Sequence, residues 1–267
     1  MRPDEDRQPE APPTAPAPGP QRFSGVLTQL FPPAAGTALT RVGDEQPDCP
    51  YPSERAVTAG ASGRRRCEFL AGRACAHAAL RAIGGDGLPI GRGAMREPLW
   101  PSGVVGSISH AGGLAGAVVA PAGAAWGVGL DIEVVGPPLD AAVERLVLSP
   151  AELSGTDGAR RPDPERAKIA FAAKECVYKC LFPRTRWPLE LHDAAIEVDT
   201  DRCRYRAVVD ERFRHDGVPL PPLQGRFAIV GSHVLAGLWI GPGGPVGERR
   251  ERAPAAHGIS RSGPRKR

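Results

Sequence analysis

Three short apolar segments lie between residues 104 and 134, and glycine or proline interrupts the chain between them. The segments cover 104–109, 114–120 and 126–134, with turns at 111–113 and 121–124. Connections of so few residues join neighbouring antiparallel strands, because a parallel crossover needs about a dozen residues or more. The sequence therefore predicts an antiparallel meander in this region.

Two long helices accompany these strands. The first covers about 64–83, where apolar residues recur every three or four positions until Gly84 and Gly85 end the pattern. The second covers about 163–182 and has its own apolar stripe. Further strands are predicted at 192–199, 203–209, 225–231 and 233–240. The order helix, sheet, helix, sheet predicts an α+β fold of two similar halves, each an antiparallel sheet packed with a long helix.

The formal charge is spread unevenly along the chain. Residues 1–21 are proline-rich and carry a net −2, whereas residues 243–267 carry +5, so only +1 of the total of +4 belongs to the body between them. This nearly neutral body argues against nucleic-acid binding. Both tails are predicted to be disordered. The body divides into halves at 22–135 and 136–242, and a connector rich in Pro, Gly and Asp covers 137–164.

The sequence shows no export signal and no convincing membrane span. The N-terminus is acidic, and the nearly uncharged stretch 104–130 contains seven glycines, whereas a spanning helix needs about 20 mostly apolar residues. None of the six cysteines forms a CxxC pair, so neither a zinc ribbon nor a thioredoxin motif is indicated. Reduced thiols in a cytoplasmic protein are the simplest interpretation.

The strand at 126–133 places two carboxylates on one face. Alternation puts Gly127, Gly129, Asp131 and Glu133 on the same side. Like charges so close repel each other unless a cation neutralises them, and hard oxygen ligands suit Mg²⁺. A solvent-facing strand edge is the alternative interpretation of these acids.

The second helix contributes Lys174, Glu175 and Lys179. Glu175 and Lys179 are spaced as an i, i+4 pair, which alone is typical of a surface ion pair worth about 0.3–0.5 kcal/mol. Combined with the two strand acids, the same residues fit a phosphoryl-transfer site better. A third carboxylate would then complete a Mg²⁺ site, and the lysines would neutralise phosphate oxygens.

Ser109 and His110 end a strand at a glycine-rich turn, where they could contact a nucleotide or simply stabilise the turn. They are unsuited to act as a Ser-His hydrolase pair, because adjacent strand residues point to opposite faces. Residues 64–66 are arginines at a helix start, an unfavourable place that suggests an anionic partner. Helical spacing pairs Arg66 with Arg73, which lie seven residues apart.

Taken together, these residues resemble the 4′-phosphopantetheinyl transferases, of the monomeric type that includes enterobactin synthase component D and the surfactin-type enzymes. The similar motifs occupy 65–73, 96–101, 106–110, 129–133 and 171–179. Five motifs in this order form a highly specific pattern. Phe171 stands where the surfactin-type enzymes carry Trp, and the enterobactin branch tolerates Phe there.

The resemblance implies a pseudo-two-fold fold with the active site between its halves. It implies coenzyme A as donor, a serine of an apo acyl or peptidyl carrier protein as acceptor, and siderophore, polyketide or nonribosomal peptide biosynthesis as the setting. Mg²⁺, with Mn²⁺ as the alternative metal, would bind Asp131, Glu133 and Glu175. Glu175 would be the general base, and Lys179 would assist the departing 3′,5′-ADP. The implied contacts to coenzyme A are Arg65, Arg73, Arg92, Ser109, His110, Lys174 and Lys179.

The alignment of motifs favours Arg65 over Arg66 as a phosphate contact. A Mg²⁺-dependent nucleotide pyrophosphohydrolase is a second hypothesis, because it would need the same acids and lysines. A non-enzymatic protein that binds a partner through its basic tail is a third.

Overall fold

The computed structural model describes residues 19–45, 47–85, 87–136, 140–150, 152 and 164–245. Its α-helices are α1 Pro20–Gln29, α2 Pro52–Ala56, α3 Gly63–Ala82, α4 Ala141–Val147 and α5 Pro164–Thr185, and Leu191–Asp193 form a 3₁₀ turn. The first six strands are β1 Gly36–Arg41, β2 Gly91–Arg92, β3 Pro98–Leu99, β4 Val104–Ala111, β5 Leu114–Pro121 and β6 Gly127–Val134. The remaining strands are β7 Ala194–Asp199, β8 Arg204–Val209, β9 Arg214–His215, β10 Val218–Pro219, β11 Leu223–Val230 and β12 His233–Ile240.

The first structural unit packs α3 on an antiparallel sheet with the strand order β1-β5-β4. The helix begins at a Ser62 cap, whose hydroxyl accepts a hydrogen bond from the Arg65 N–H at 3.4 Å. Its end is marked by Gly84, which takes a left-handed φ of 75°. Both bounds agree with the helix predicted at 64–83. Strand β1 was not predicted.

The second unit packs α5 on a five-stranded antiparallel sheet with the order β6-β12-β11-β8-β7. All four strands predicted in this part of the chain are present within three residues of their predicted bounds. The α+β fold class is therefore confirmed, with one long helix on each antiparallel sheet. The two sheets differ in size, with three strands and five strands.

The prediction that β6 continues the meander of β4 and β5 is wrong. Strand β6 pairs with β12, so it belongs to the second sheet. Serine hydroxyls join β4 to β6 in place of a backbone ladder. Ser107 Oγ accepts from the Leu130 N–H at 3.0 Å, and Ser109 Oγ accepts from the Ile132 N–H at 3.2 Å. The predicted division of the body at 135/136 stays a prediction, and β6 is the strand through which the two sheets meet.

The predicted N-terminal tail is too long, because α1 begins at Pro20. Phe23 and Leu27 on this helix are buried against the apolar face of β6, which includes Val128 and Leu130. The rest of that predicted tail, at 1–18, lies outside the described residues, as does 246–267 of the predicted C-terminal tail. Within the described part of the chain, no helix has the length and apolar character needed to span a membrane.

Candidate active site

Close packing of α5 on β6 creates the site. A side-chain Cβ at Gly127 would stand 2.7 Å from the carbonyl oxygen of Cys180, and one at Gly129 would overlap the carbonyl oxygen of Cys176. The two glycines therefore let the helix backbone reach the strand. As a consequence, Asp131, which follows them on the same face of β6, lies beside the charged side chains of α5.

Asp131 is the most buried acid of the site, with 3% of its surface exposed. Its Oδ1 accepts a hydrogen bond from the Ser109 hydroxyl at 2.8 Å and one from the Lys179 ammonium at 2.5 Å. Its Oδ2 is buried and has no hydrogen-bond partner among the described residues. A buried carboxylate oxygen without a partner is costly unless a ligand satisfies it, and this oxygen is therefore available to a cation.

Two further carboxylates lie near Asp131. Burial, followed by repulsion from Asp131, raises the pKa of Glu133 to about 7. Burial also raises the pKa of Glu175; Asp131 adds to the increase and Lys179 opposes it. Both shifts show that these acids resist ionisation in the absence of additional positive charge.

Two lysines supply part of that positive charge. Lys179 Nζ lies 4.0 Å from Glu175 Oε2, and Lys168 Nζ lies 3.9 Å from Glu133 Oε2. Burial alone would lower the pKa of Lys179, but Asp131 and Glu175 outweigh that effect and raise it. Lys179 is thus held in its charged form between two of the acids.

The donor set suits a hard divalent cation. Asp131, Glu133 and Glu175 offer only oxygen atoms, one of which is buried and unsatisfied, and a dication would relieve the repulsion that raises two of the pKa values. As placed, however, no three His, Cys, Asp or Glu side chains in the described ranges are gathered closely enough to form a ready metal site. Mg²⁺ binding by these three residues therefore remains a proposal.

A cavity of about 230 Å³ lies on the other side of β4, and cationic side chains line it. Arg73 is its buried cation, with 3% of its surface exposed. Its Nη2 donates to the Gly91 carbonyl oxygen at 3.1 Å, and its guanidinium stands 4.9 Å from the Phe69 ring centre. Its Nη1 is buried and has no partner among the described residues. The cavity therefore offers an unused, preoriented donor to an anion.

The other basic residues lie around Arg73. Arg65, Arg92 and Arg96 are exposed and line the same cavity, together with His110. Burial lowers the pKa of His110, and Arg65 and Lys179 add to this effect, whereas Glu68 opposes it. The net shift favours the neutral form of His110, which can act as a hydrogen-bonding group in the cavity.

The cavity extends towards Lys179. An adjoining space of about 220 Å³ shares Arg96, Pro98 and Ile108 with it and reaches Lys179. An anion held by the arginines could thus extend along this cleft towards the three acids. The two spaces form a cleft between the two structural units that ends at Lys179, and Lys179 in turn contacts Asp131.

The structure brings most, but not all, of the predicted site residues together. Arg65, Arg73, Arg92 and His110 line one cavity. Arg66, the alternative to Arg65, does not line it and instead approaches the Ala59 carbonyl oxygen at 3.5 Å.

Two predicted coenzyme A contacts have other partners. Ser109 is buried against Asp131 and Lys179 and does not line the arginine cavity. Lys174 is buried in the second unit, where its ammonium donates to the Val147 carbonyl oxygen and to Glu152 Oε2, both at 2.7 Å. The structure therefore does not support a phosphate contact for Lys174, because the last carbonyl of α4 and Glu152 already satisfy this cation.

Two cations were missed by sequence reasoning as site residues. Neither Lys168 nor Arg96 is among the site residues predicted from the sequence. Arg96 reaches the cavity because it adopts a left-handed φ of 70° in the turn between β2 and β3. No feature of a single sequence indicated that conformation. For Lys168, its position seven residues before Glu175 on the same helix was the available signal.

Comparisons with known proteins define the class of this enzyme. A model of the 4′-phosphopantetheinyl transferase N-terminal domain matches residues 52–120, and a model of the 4′-phosphopantetheinyl transferase superfamily matches residues 127–218. The chain therefore belongs to the 4′-phosphopantetheinyl transferase superfamily, as its motifs predicted.

Individual relatives agree with this assignment. The 4′-phosphopantetheinyl transferase Svp of Streptomyces mobaraensis is 36% identical over 242 residues, which cover 86% of this chain and 95% of Svp. The 4′-phosphopantetheinyl transferase PptT of Mycobacterium tuberculosis is 34% identical over 194 residues, covering 71% and 85%. Enterobactin synthase component D of Salmonella typhi is 37% identical over 137 residues, covering 48% and 53%.

Proposed function

We propose that this protein transfers the 4′-phosphopantetheine group of coenzyme A to a serine of an apo acyl or peptidyl carrier protein and releases 3′,5′-ADP. The observation that carries the proposal is the arginine-lined cavity, whose adjoining space reaches Lys179, the lysine that contacts Asp131 at 2.5 Å. Phosphates of the nucleotide end suit the arginines, and the pyrophosphate suits the charged end of the cleft.

Asp131, Glu133 and Glu175 would hold Mg²⁺, or Mn²⁺ as the alternative. The bound metal would supply positive charge that neutralises the pyrophosphate. The unsatisfied Oδ2 of Asp131 and the raised pKa values of the other two acids support this donor set.

Glu175 acts as the general base, directly or through a water molecule. The carrier serine loses its proton to Glu175 as its oxygen forms a bond to the phosphorus that bears pantetheine. The bond between that phosphorus and the bridging pyrophosphate oxygen breaks, and 3′,5′-ADP departs. A carboxylate can accept this proton when it lies within hydrogen-bonding reach of the serine or of one bridging water molecule. Lys179 neutralises the charge that develops on the leaving group.

An apolar groove beside Glu175 supports a protein acceptor. Leu146 and Met95 line it with 65% and 63% of their surfaces exposed, together with Val177 and Leu189. Exposed apolar side chains next to a reactive carboxylate are typical of a protein docking surface. We assign this groove to the carrier protein.

Intact-mass analysis of a panel of apo carrier proteins, incubated with this protein, coenzyme A and Mg²⁺, tests the proposal. Acceptors should gain the mass of phosphopantetheine, and Glu175→Gln should nearly abolish the gain. No mass gain across a broad panel that includes siderophore, polyketide and peptide carriers would refute it. The same panel identifies the pathway, for which the enterobactin relatives make siderophore biosynthesis one candidate.

The hydrolase hypothesis has no support among the relatives described above, which are named as transferases or as an enterobactin synthase component. Coenzyme A incubated without a carrier protein should accordingly release no 3′,5′-ADP.

We also propose a cytoplasmic monomer, in keeping with six free cysteines, of which only Cys203 is exposed. Size-exclusion chromatography with light scattering tests the oligomeric state.

A further inference from the structure

A buried carboxylate behind the arginine-lined cavity takes no part in the chemistry described above. Glu54 on α2 has 1% of its surface exposed. Its Oε1 accepts a hydrogen bond from the Ile90 N–H at 2.6 Å and lies 2.9 Å from His77 Nε2. The Cys49 thiol donates to Oε2 at 3.6 Å. Glu54 therefore joins three separate segments of the first unit.

The bond to Ile90 fixes the segment that supports two cavity arginines. Ile90 is itself buried, and Gly91 and Arg92 follow it directly. The Gly91 carbonyl oxygen accepts the Nη2–H of Arg73, and Arg92 lines the cavity. A displacement at residue 90 would therefore be transmitted to both guanidinium groups.

Glu54 also interacts electrostatically with Arg73. Burial lowers the pKa of Arg73, and Glu54 is the strongest influence that opposes this decrease. The carboxylate thereby helps Arg73 to remain charged in a buried place. Arg73 keeps one buried nitrogen, Nη1, without a partner in the described part of the chain, so the arrangement is complete except for an anion.

We propose that Glu54 is a positioning residue, which sets the affinity of the cavity for the phosphates of the nucleotide by fixing Arg73 and Arg92. This inference rests on the proposed function, because it assumes that the arginines hold the nucleotide end of coenzyme A. Glu54 would not touch the ligand. Its effect would reach the ligand through the Ile90 N–H and the Gly91 carbonyl oxygen.

Calorimetric titration with adenosine 3′,5′-bisphosphate, without metal or carrier protein, tests the inference on the full chain. Glu54→Ala should weaken binding about tenfold or more, the scale of a lost charge-assisted hydrogen bond. Glu54→Gln keeps an acceptor for the Ile90 N–H but removes the negative charge beside Arg73, so its loss of affinity should be smaller than that of Glu54→Ala. The control is Leu27→Ala, which opens a cavity in a different core cluster and should lower the melting temperature without changing the affinity.

A double-mutant cycle with Arg73→Ala shows whether Glu54 acts through Arg73. If it does, Glu54→Ala should add little to the loss caused by Arg73→Ala, since coupled residues are not additive. In steady-state transfer, Glu54→Ala should raise KM for coenzyme A while leaving kcat at saturating coenzyme A and KM for the carrier protein nearly unchanged.

Three results would overturn the inference: unchanged affinity in a folded Glu54→Ala variant, fully additive losses with Arg73→Ala, or an equal loss of affinity in the Leu27→Ala control. Failure of the wild-type protein to bind the bisphosphate would instead remove the nucleotide site on which the proposed function itself depends. The two failures are therefore distinguishable.

Discussion

Gly129→Ala tests whether close contact between β6 and α5 builds the active site. The added Cβ would overlap the main-chain carbonyl of Cys176, including its carbonyl carbon at 2.8 Å. Rotation of a side chain cannot relieve a clash with helix backbone. Strand and helix must therefore separate at the point where Asp131 meets Lys179.

The required movement is on the order of 1 Å, because non-bonded carbon atoms pack best at about 3.5–4.0 Å. Overpacking of this kind costs about 1–3 kcal/mol of stability. A misplacement of about 1 Å in a catalytic constellation can reduce the rate about 100-fold. We therefore expect a folded variant whose transfer rate falls far more than its stability.

Thermal melting and the initial rate of carrier-protein mass gain at saturating coenzyme A measure the two effects. Gly123→Ala is the matched control, because a Cβ there meets nothing within 4 Å. That variant should behave as the wild type does. A Gly129→Ala protein with wild-type rate and stability would refute the view that these glycines exist to admit the helix.

Three further results are expected. Because the pKa of Glu133 is raised from 4.5 to about 7, the folded form binds the proton more tightly than the unfolded form, and metal-free protein should lose up to about 3 kcal/mol of stability as pH rises through this window. Melting curves should show that slope and Glu133→Gln should flatten it, whereas a flat wild-type profile would contradict the shift. Lys174→Met leaves Glu152 with a buried, unpaired charge and should lower the free energy of unfolding by about 3–5 kcal/mol in denaturant. Adding Glu152→Gln should recover part of that loss. If Lys174→Met instead weakened bisphosphate binding at unchanged stability, Lys174 would contact the phosphates after all. Deletion of 246–267 should leave the transfer rate unchanged, and loss of activity would revive the hypothesis of a partner bound through the basic tail.

Local patterns in the sequence predicted the elements of the fold well, but not their assembly. Alternation along β6 placed Asp131 on the same face as Glu133, and helical spacing gave both long helices. The assignment of β6 to a sheet failed, because short connections favour pairing with the preceding strand. Pairing with β12 depends on residues about a hundred positions later, and nothing within the β6 segment indicates it.

The same difference between local patterns and assembly applies to the site residues. Glu175 and Lys179 could be predicted because their motif lies on one helix and follows an acidic strand. Lys174 belongs to the same motif, yet it points to the other side of α5, where Glu152 neutralises it. Helical spacing alone would have separated it from Glu175, since neighbouring positions on a helix lie about 100° apart. The phosphate contact predicted for Lys174 followed from the resemblance of the motif at 171–179 and did not take this helical spacing into account.

Strand β4 explains why the fold and the site cannot be separated. Adjacent strand residues point to opposite faces, so Ser109 reaches the carboxylates while His110 lines the arginine cavity. The Ser109 hydroxyl has two tasks, because it accepts the Ile132 N–H that joins the sheets and donates to Asp131. The junction between the two units and the charged end of the cleft therefore share the same atoms. A ligand that bridges both sides of β4 would contact both structural units at once. Binding of such a ligand requires that the two units keep one fixed arrangement.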